Sequence, residues 1–177
     1  MSLTLKVNID DDQVAFLKEQ GYYLFLAKLV QGQSQANVIW ESNSAYVANN
    51  EFAWRPVYAI AGSETVEPGI QVVGSTGQPF TFSNMDADTD FAAAVYTGDP
   101  SNPTANLSNP FFISKSLEQN FSVDILPIET VVLWFGEAQK TSTIIAEYSG
   151  PALTAVYGEG DSNHTAQWTK KGWELIN

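Results

Sequence analysis

The sequence predicts an all-β protein: a single-domain antiparallel β-sandwich, or a flattened barrel, of about ten to twelve short strands with one short helix near the N-terminus. Short runs of alternating apolar and polar residues recur along the chain, and clusters of glycine, proline, asparagine and serine separate them. The chain of 177 residues is 44% hydrophobic and has no cysteine, so one core without disulfides is expected. The predicted domain covers residues 1–177.

The stretch 38–63 contains two strand-like runs, two of the five tryptophans and the only arginine, and the rest of the chain is predicted to be organised around it. Within it, residues 52–61 alternate with a period of two, as in a strand. Proline cannot donate to a ladder, so this strand is predicted to be an edge strand or to bend at Pro56, with Arg55 pointing away from the main core. Its large face consists of Phe52, Trp54, Pro56, Tyr58 and Ile60.

The first elements follow from local patterns. The alternation in Leu3–Ile9 predicts a strand. Three aspartates at 10–12 then precede a helix-compatible segment that Gly21 ends. Carboxylates at a helix start satisfy its N–H groups and suit its dipole, so capping is preferred to metal binding for these aspartates. Tyr22–Val30 is apolar on both faces apart from Lys28, as expected for a strand near the centre of a sheet.

The later strands are predicted from similar short runs. Residues 131–135 are the most apolar run and are predicted to form a fully buried strand. Residues 99–110 hold three prolines and are predicted to be a surface loop. Strands are also predicted at 38–41, 70–72, 80–82, 111–114, 121–126, 144–148 and 153–157.

The tryptophans fall into two groups. Trp40, Trp54 and Trp134 lie in apolar strands and are predicted to be core residues. Trp168 and Trp173 flank a short turn, so a hairpin would place their indoles opposite each other. Such an aromatic cross-strand pair stabilises a sheet by about 0.2–1 kcal/mol.

The charge pattern limits the partners. Twenty acidic and eight basic residues give a net charge of −12, which repels nucleic acids and anionic membranes. No run of about 18 apolar residues and no signal peptide is recognisable. The sequence therefore predicts a soluble protein without a transmembrane segment, either cytoplasmic or exported without a recognisable signal peptide.

The motifs of most enzyme classes are missing from the sequence. His164 is the only histidine and there is no cysteine, which excludes a Cys–His pair and a multi-histidine metal site. GxxxxGK, GxGxxG and GxSxG do not occur. His164 is predicted to lie exposed in a turn without a role. The prediction is a non-enzymatic protein without a cofactor, although the sequence leaves a two-carboxylate hydrolase open.

A metal site is not predicted, and the weak candidates are Asp86, Asp88 and Asp90. Their DxDxD spacing matches the first half of a calcium loop. Such a loop has glycine at its sixth position and glutamate at its twelfth, where this chain has Phe91 and Thr97. An acidic, solvated loop is the preferred interpretation.

Four residues are candidates for ligand binding: Trp168, Trp173, Tyr46 and Arg55. Aromatic rings with polar neighbours at the rim of a β-fold can stack on sugar rings or lie at a lipid interface. The same rings can instead close the ends of a sandwich. Arg55 can bind a ligand oxygen, but in so acidic a chain an ion pair over the second face of the sheet is preferred.

The stretch 38–63 also carries a resemblance. Its matching residues are Trp40, Ser42, Asn50, Phe52, Trp54, Pro56, Val57, Tyr58, Ile60 and Gly62. They resemble the pattern VW-x-S … N-x-F-x-W-x-P-V-Y-x-I-x-G of an uncharacterised family of small, cysteine-poor all-β proteins from fungi and bacteria. Residues 132–135 and 141–143 are similar to a later V-L-V-W-F … T-S-T segment of that pattern. The resemblance implies one all-β unit and brings no catalytic residues.

Three functions agree with these observations. The first is a non-enzymatic ligand-binding β-sandwich, lectin-like, that uses rim aromatics and loop acids to hold a carbohydrate. The second is a module that binds membrane lipids or forms pores like a small toxin, with neutral lipid as its ligand. The third is a self-assembling structural protein, in which copies of the chain form a homo-oligomer.

Overall fold

A computed structural model describes residues 2–63, 71–75, 80–98 and 109–176. These residues form fourteen strands and one helix, which confirms the predicted all-β class with a short helix. In chain order the elements are β1 (Leu3–Ile9), α1 (Asp11–Glu19), β2 (Tyr22–Val30), β3 (Glu41–Asn43), β4 (Asn49–Trp54), β5 (Val57–Ser63), β6 (Gln71–Ser75), β7 (Phe80–Ser83), β8 (Ala92–Thr97), β9 (Pro110–Ile113), β10 (Ser122–Ile125), β11 (Pro127–Glu137), β12 (Ala152–Val156), β13 (Asn163–Thr169) and β14 (Gly172–Ile176).

The strands form four sheets that do not close into a barrel, so the sandwich alternative is confirmed. The first sheet has the order β14-β13-β1-β4, the second β12-β11-β2-β3 and the third β6-β5-β8-β9. β7 and β10 pair as a two-stranded ribbon. Among the described pairs, β1 and β13 run parallel and the others are antiparallel.

The main core lies between the first two sheets and extends to the third. Inward residues of β1 pack with those of β2 and β11, because alternate residues of a strand share a face. A smaller cluster covers the other face of β2 and β11 and includes Trp134. Both strands are therefore buried on two faces, as predicted for Tyr22–Val30 and 131–135. Trp40, Trp54 and Trp134 are buried, as predicted.

The helix α1 differs from the prediction at its start. Asp10 occupies the N-cap position, but its side chain makes no capping hydrogen bond. Asp11 and Asp12 lie in the first turn, where negative charge suits the helix dipole, and Asp12 also pairs with Lys170 at 2.7 Å. Gly21 follows the helix with a φ of 71°, so the predicted stop is confirmed.

The predicted strand 52–61 is two strands. β4 ends at Trp54 as an edge strand of the first sheet, and β5 begins at Val57 inside the third sheet. Pro56 therefore marks a crossing between sheets rather than a bend within one strand. Arg55 lies at this crossing and is exposed, as expected for a side chain that points away from the core.

Other predicted elements also need correction. The strand β8 was not predicted, although it is central in the third sheet. Residues 144–148 are not a strand, since Ile144 forms only an isolated bridge with Val38, and the strand predicted at 38–41 begins at Glu41 as β3. Most of the predicted loop 99–110 lies outside the described residues. In the part of the chain that the structure describes, no helix is long and apolar enough to cross a membrane.

Candidate functional site

Trp168 and Trp173 are cross-strand partners in the β13–β14 hairpin, as predicted. Their ring centroids lie 5.0 Å apart in an edge-to-face arrangement, and Trp173 stacks on Phe135 of β11 at 5.1 Å. Both indoles are half-buried, and their Nε1 atoms are buried without a hydrogen-bond partner in the part of the chain that the structure describes. The pair therefore covers part of the main core, and its binding of a ligand stays a prediction.

Tyr46 and Arg55 have opposite surroundings. Tyr46 is fully buried, its ring lies 5.4 Å from that of Phe135, and its hydroxyl donates to the carbonyl of Tyr22 at 3.1 Å. The ring therefore has no exposed surface on which a sugar could stack, and the binding role of Tyr46 stays a prediction. Arg55 is exposed but does not line the cavity described below, and its role in binding stays a prediction.

His164 lies in β13 rather than in an exposed turn. Its ring is half-buried and edge-on to Tyr157, with centroids 4.5 Å apart. Its Nε2 lies 3.0 Å from the carbonyl oxygen of Val156 on β12. The histidine therefore contributes to packing between the first two sheets.

The aspartates of the DxDxD segment shape a turn. Oδ1 of Asp86 accepts hydrogen bonds from the N–H groups of Asp88 and Thr89, at 2.8 and 3.0 Å. This is the Asx-turn use of an aspartate. Asp86, Asp88 and Asp90 are all exposed. Among the described residues, no group of three or more His, Cys, Asp or Glu side chains is placed to hold a metal ion.

An open cavity of about 520 Å³ lies beside β7, and we call it the β7 cavity. Its walls are mostly apolar, with two half-buried phenylalanine rings and a methionine that is 73% exposed. This volume lies within the range of small-molecule sites, which combine apolar walls with a few polar groups. The described lining residues are Gly62, Phe82, Ser83, Asn84, Met85, Asp86 and Phe91.

Close contacts hold the β7 cavity in shape. A Cβ atom at Gly62 would lie 2.5 Å from Cζ of Phe82, so the missing side chain is what admits the ring. Asn84 is 2% exposed, and its Nδ2 donates to the carbonyls of Thr89 and Leu117, each at 2.8 Å. The loop after β7 is therefore fixed by a buried amide, and the cavity is preformed.

Exposed apolar side chains flank this cavity. Met85 on its wall is 73% exposed, and Phe121, just before β10, is 60% exposed. The N–H of Asn84 donates to the carbonyl of Phe121 at 3.0 Å, which brings the two segments together. Asn120 has a φ of 65°, a conformation that asparagine tolerates better than most residues. Contiguous apolar patches mark binding surfaces, and these two side chains supply exposed apolar area on adjoining segments.

A second unusual feature is a lysine inside the core. Lys28 on β2 has no exposed surface, and four aromatic rings surround its ammonium group. The distances from Nζ to the ring centroids are 4.5 Å for Trp54, 5.1 Å for Trp40, 5.6 Å for Tyr58 and 5.9 Å for Phe111. Ring faces attract a cation within about 6 Å. We call Lys28, these four rings and Glu129 the Lys28 cage.

Glu129 on β11 provides the negative charge of the Lys28 cage. Its Oε2 lies 3.5 Å from Nζ of Lys28 and accepts a hydrogen bond from Nε1 of Trp54 at 3.2 Å. Its Oε1 accepts one from the hydroxyl of Tyr58. Among the described residues, none makes a hydrogen bond with the ammonium itself. The carboxylate, 11% exposed, therefore connects the cation to two of its rings.

Burial changes the acidity of the groups around Glu129. Desolvation lowers the pKa of Lys28 from 10.5 to about 8, although the nearby Glu129 carboxylate acts in the opposite direction. Desolvation raises the pKa of Tyr58 and of Tyr157, and the charge of Glu129 raises both further. At neutral pH the ammonium and both hydroxyls therefore keep their protons.

The Lys28 cage joins three sheets. Trp54 comes from the first sheet, Lys28 and Glu129 from the second, and Tyr58 and Phe111 from the third. The stretch 38–63 supplies three of its four rings, which gives that stretch its organising position. Local sequence patterns do not predict this cage. The available signal was a single lysine in the otherwise apolar segment Tyr22–Val30.

Comparisons with known proteins do not assign either site. No protein-family model, curated protein or solved structure matches this chain.

Proposed function

We propose that this protein is a non-enzymatic ligand-binding β-sandwich that holds a small amphipathic ligand in the β7 cavity. The observation that carries the proposal is the cavity itself: about 520 Å³, open to solvent and preformed, with apolar walls and a few polar groups. Phe82, Phe91 and Met85 supply the apolar contact surface, and Ser83 and Asp86 supply polar atoms at the rim. The Lys28 cage has the same kinds of group but is filled by the protein's own side chain.

A carbohydrate remains one ligand class within this proposal. The apolar face of a sugar ring can stack on a phenylalanine, and its hydroxyl groups can bind Ser83 and Asp86. The hairpin tryptophans are a less suitable stacking surface, because Trp173 has one face against Phe135. The expected sugar site is therefore the β7 cavity rather than the hairpin.

The test is titration with N-phenyl-1-naphthylamine, a neutral fluorescent probe, together with a glycan array. Wild type is expected to bind the probe at one saturable site. Met85→Asp places a charge on an exposed part of the cavity wall and should weaken binding about tenfold. Val47→Asp is the matched control, because Val47 is also apolar and 52% exposed but does not line the cavity. Equal binding by both variants, or no saturable binding by wild type, would contradict the proposal.

A second candidate function is binding to neutral lipid surfaces. Met85 and Phe121 favour it, because they are 73% and 60% exposed on adjoining segments. Apolar side chains at such a tip can enter the headgroup region, and the net charge of −12 directs the protein to uncharged lipids. Co-sedimentation with phosphatidylcholine and sphingomyelin–cholesterol vesicles tests this function. Loss of vesicle binding in Phe121→Asp, with probe binding intact, would separate it from the cavity function.

A further inference from the structure

We infer that the β7 cavity selects ligands in which an apolar body carries a positively charged ammonium group. This inference rests on the proposed function of the cavity and specifies its ligand class. It depends on the charge of the lining, on the fixed position of one carboxylate and on the chemistry of the Lys28 cage.

Among the described residues that line the β7 cavity, one is acidic and none is basic. Asp86 supplies a carboxylate, and none of the described lining residues is lysine or arginine. Lys115 lies two positions before Leu117, the bridge partner of Phe91, but it does not line the cavity. A cationic headgroup would therefore meet an opposite charge, and an anionic one would meet a like charge.

The carboxylate of Asp86 is held in place before any ligand arrives. Its Oδ1 accepts the N–H groups of Asp88 and Thr89, and its own N–H donates to Oδ1 of Asn84 at 2.9 Å. Asn84 is 2% exposed, so this anchor is buried. Oδ2 of Asp86 receives neither of these backbone hydrogen bonds. Asp86 thus lines the cavity with one carboxylate oxygen held by the turn and the other outside these backbone hydrogen bonds.

The Lys28 cage shows that rings and a carboxylate hold an ammonium in this protein. There, four rings lie within 5.9 Å of the cation and one glutamate oxygen lies 3.5 Å from it. The described lining of the β7 cavity has two rings, a thioether and one carboxylate, and the cavity is open to solvent. The field of a chain with a net charge of −12 also raises the local concentration of cations.

The test compares three probes with the same eight-carbon chain: octyltrimethylammonium, octyl glucoside and octyl sulfate, each below its micelle concentration. Displacement of N-phenyl-1-naphthylamine gives the affinity of each. The expected order is cationic, neutral, anionic, with the cationic probe about tenfold tighter than the neutral one. Asp86→Asn should reduce this preference to within about twofold, through weaker binding of the cationic probe, because asparagine removes the charge but keeps the turn-forming oxygen.

The matched control is Asp88→Asn, which removes one negative charge from the same loop outside the lining. It should retain the cation preference. Equal affinity for all three probes, or tightest binding of octyl sulfate, would overturn the inference and leave the proposed function standing. A preference that survives in Asp86→Asn would also overturn it, since the net charge would then account for selectivity. Failure of all three probes to bind would overturn the proposed function as well.

Discussion

The Lys28 cage and the β7 cavity use the same kinds of group under opposite conditions. In the cage, aromatic rings and Glu129 enclose a cation that the protein supplies, and no part of Lys28 reaches solvent. In the cavity, aromatic rings and Asp86 face solvent, and no described lining residue is basic. We therefore expect these interactions to contribute to stability in the closed cage and, under the proposed function, to ligand binding in the open cavity. The cage should therefore respond to substitution through unfolding, and the cavity through ligand affinity.

The largest expected effect is the loss of the carboxylate in the Lys28 cage. Glu129→Leu leaves the ammonium without its counter-charge and removes the acceptor of Trp54 Nε1 and of the Tyr58 hydroxyl. The free energy of unfolding should fall by about 3–5 kcal/mol, measured by urea unfolding at pH 7. Glu51→Leu, an exposed acid on β4, is the control and should change it by less than about 0.5 kcal/mol. Equal effects of the two variants would show that the cage does not stabilise the fold.

The pH dependence of stability gives the next largest effect. The pKa of Lys28 is about 8 in the folded protein and 10.5 without burial, so between these values the unfolded chain binds more protons. Stability should therefore rise from pH 8 towards pH 10, by about 2–3 kcal/mol. Above about pH 10 the tyrosines of the unfolded chain ionise, whereas the raised pKa values of Tyr58 and Tyr157 keep these two hydroxyls protonated in the folded protein. The stability that these two tyrosines contribute is therefore lost above that pH.

Urea unfolding of wild type and Lys28→Met at pH 7, 8, 9 and 10 measures this effect. The difference in unfolding free energy between the two proteins reports the contribution of Lys28, because both proteins contain the same tyrosines. Wild type should gain stability relative to Lys28→Met as the pH rises to 10. Two parallel curves would show that Lys28 has its ordinary pKa and that the ammonium is stabilised as well inside the cage as in water.

Removal of the cation should have a smaller effect than removal of its carboxylate. Lys28→Met keeps an unbranched chain among the rings, and Glu129 retains its hydrogen bonds from Trp54 and Tyr58. The loss of stability at pH 7 should stay below about 2 kcal/mol, because methionine packs well against aromatic rings. Lys6→Met, an exposed lysine on β1, serves as the control. A loss as large as that of Glu129→Leu would show that the cation itself, rather than the acceptor role of Glu129, accounts for most of the stability that the cage contributes.

The smallest expected change in stability belongs to the cavity. In Gly62→Ala the new methyl group must displace the ring of Phe82, which is the mobile end of a half-buried side chain. The free energy of unfolding should fall by about 1 kcal/mol. Binding of N-phenyl-1-naphthylamine should weaken several-fold, because Phe82 is part of the wall. Unchanged probe affinity would show that the wall at Phe82 does not contribute to binding.

Local patterns predicted much of the fold. The alternation in Leu3–Ile9 and the apolar segment Tyr22–Val30 located β1 and β2 correctly, since the burial of a strand follows its own side-chain period. β8 was missed because its alanines have low strand propensity, although two neighbouring strands bury them. Pro56 predicted a disruption, but only tertiary pairing shows that the chain changes sheets there.

The sites were much harder to predict. Glu129 is one of twenty acidic residues, and nothing in its local sequence indicates that it faces Lys28. Three rings of the cage come from the stretch 38–63 and the fourth from Phe111, and their meeting depends on the packing of three sheets. Similarly, Gly62 and Phe82 form the cavity wall only because the ribbon of β7 and β10 packs against β5 of the third sheet. The sequence shows which residue types are present, but it does not show that these residues meet in the folded protein.

The parallel pairing of β1 with β13 has a consequence for protein synthesis. Asp10, just after β1, accepts a hydrogen bond from Gln167, which is made 157 residues later. At a translation rate of about 5–20 residues per second, one edge of β1 stays without its partner for roughly eight to thirty seconds. Unpaired strand edges recruit other chains. The yield of folded protein in a cell should therefore depend on how well chaperones shield that edge until β13 leaves the ribosome.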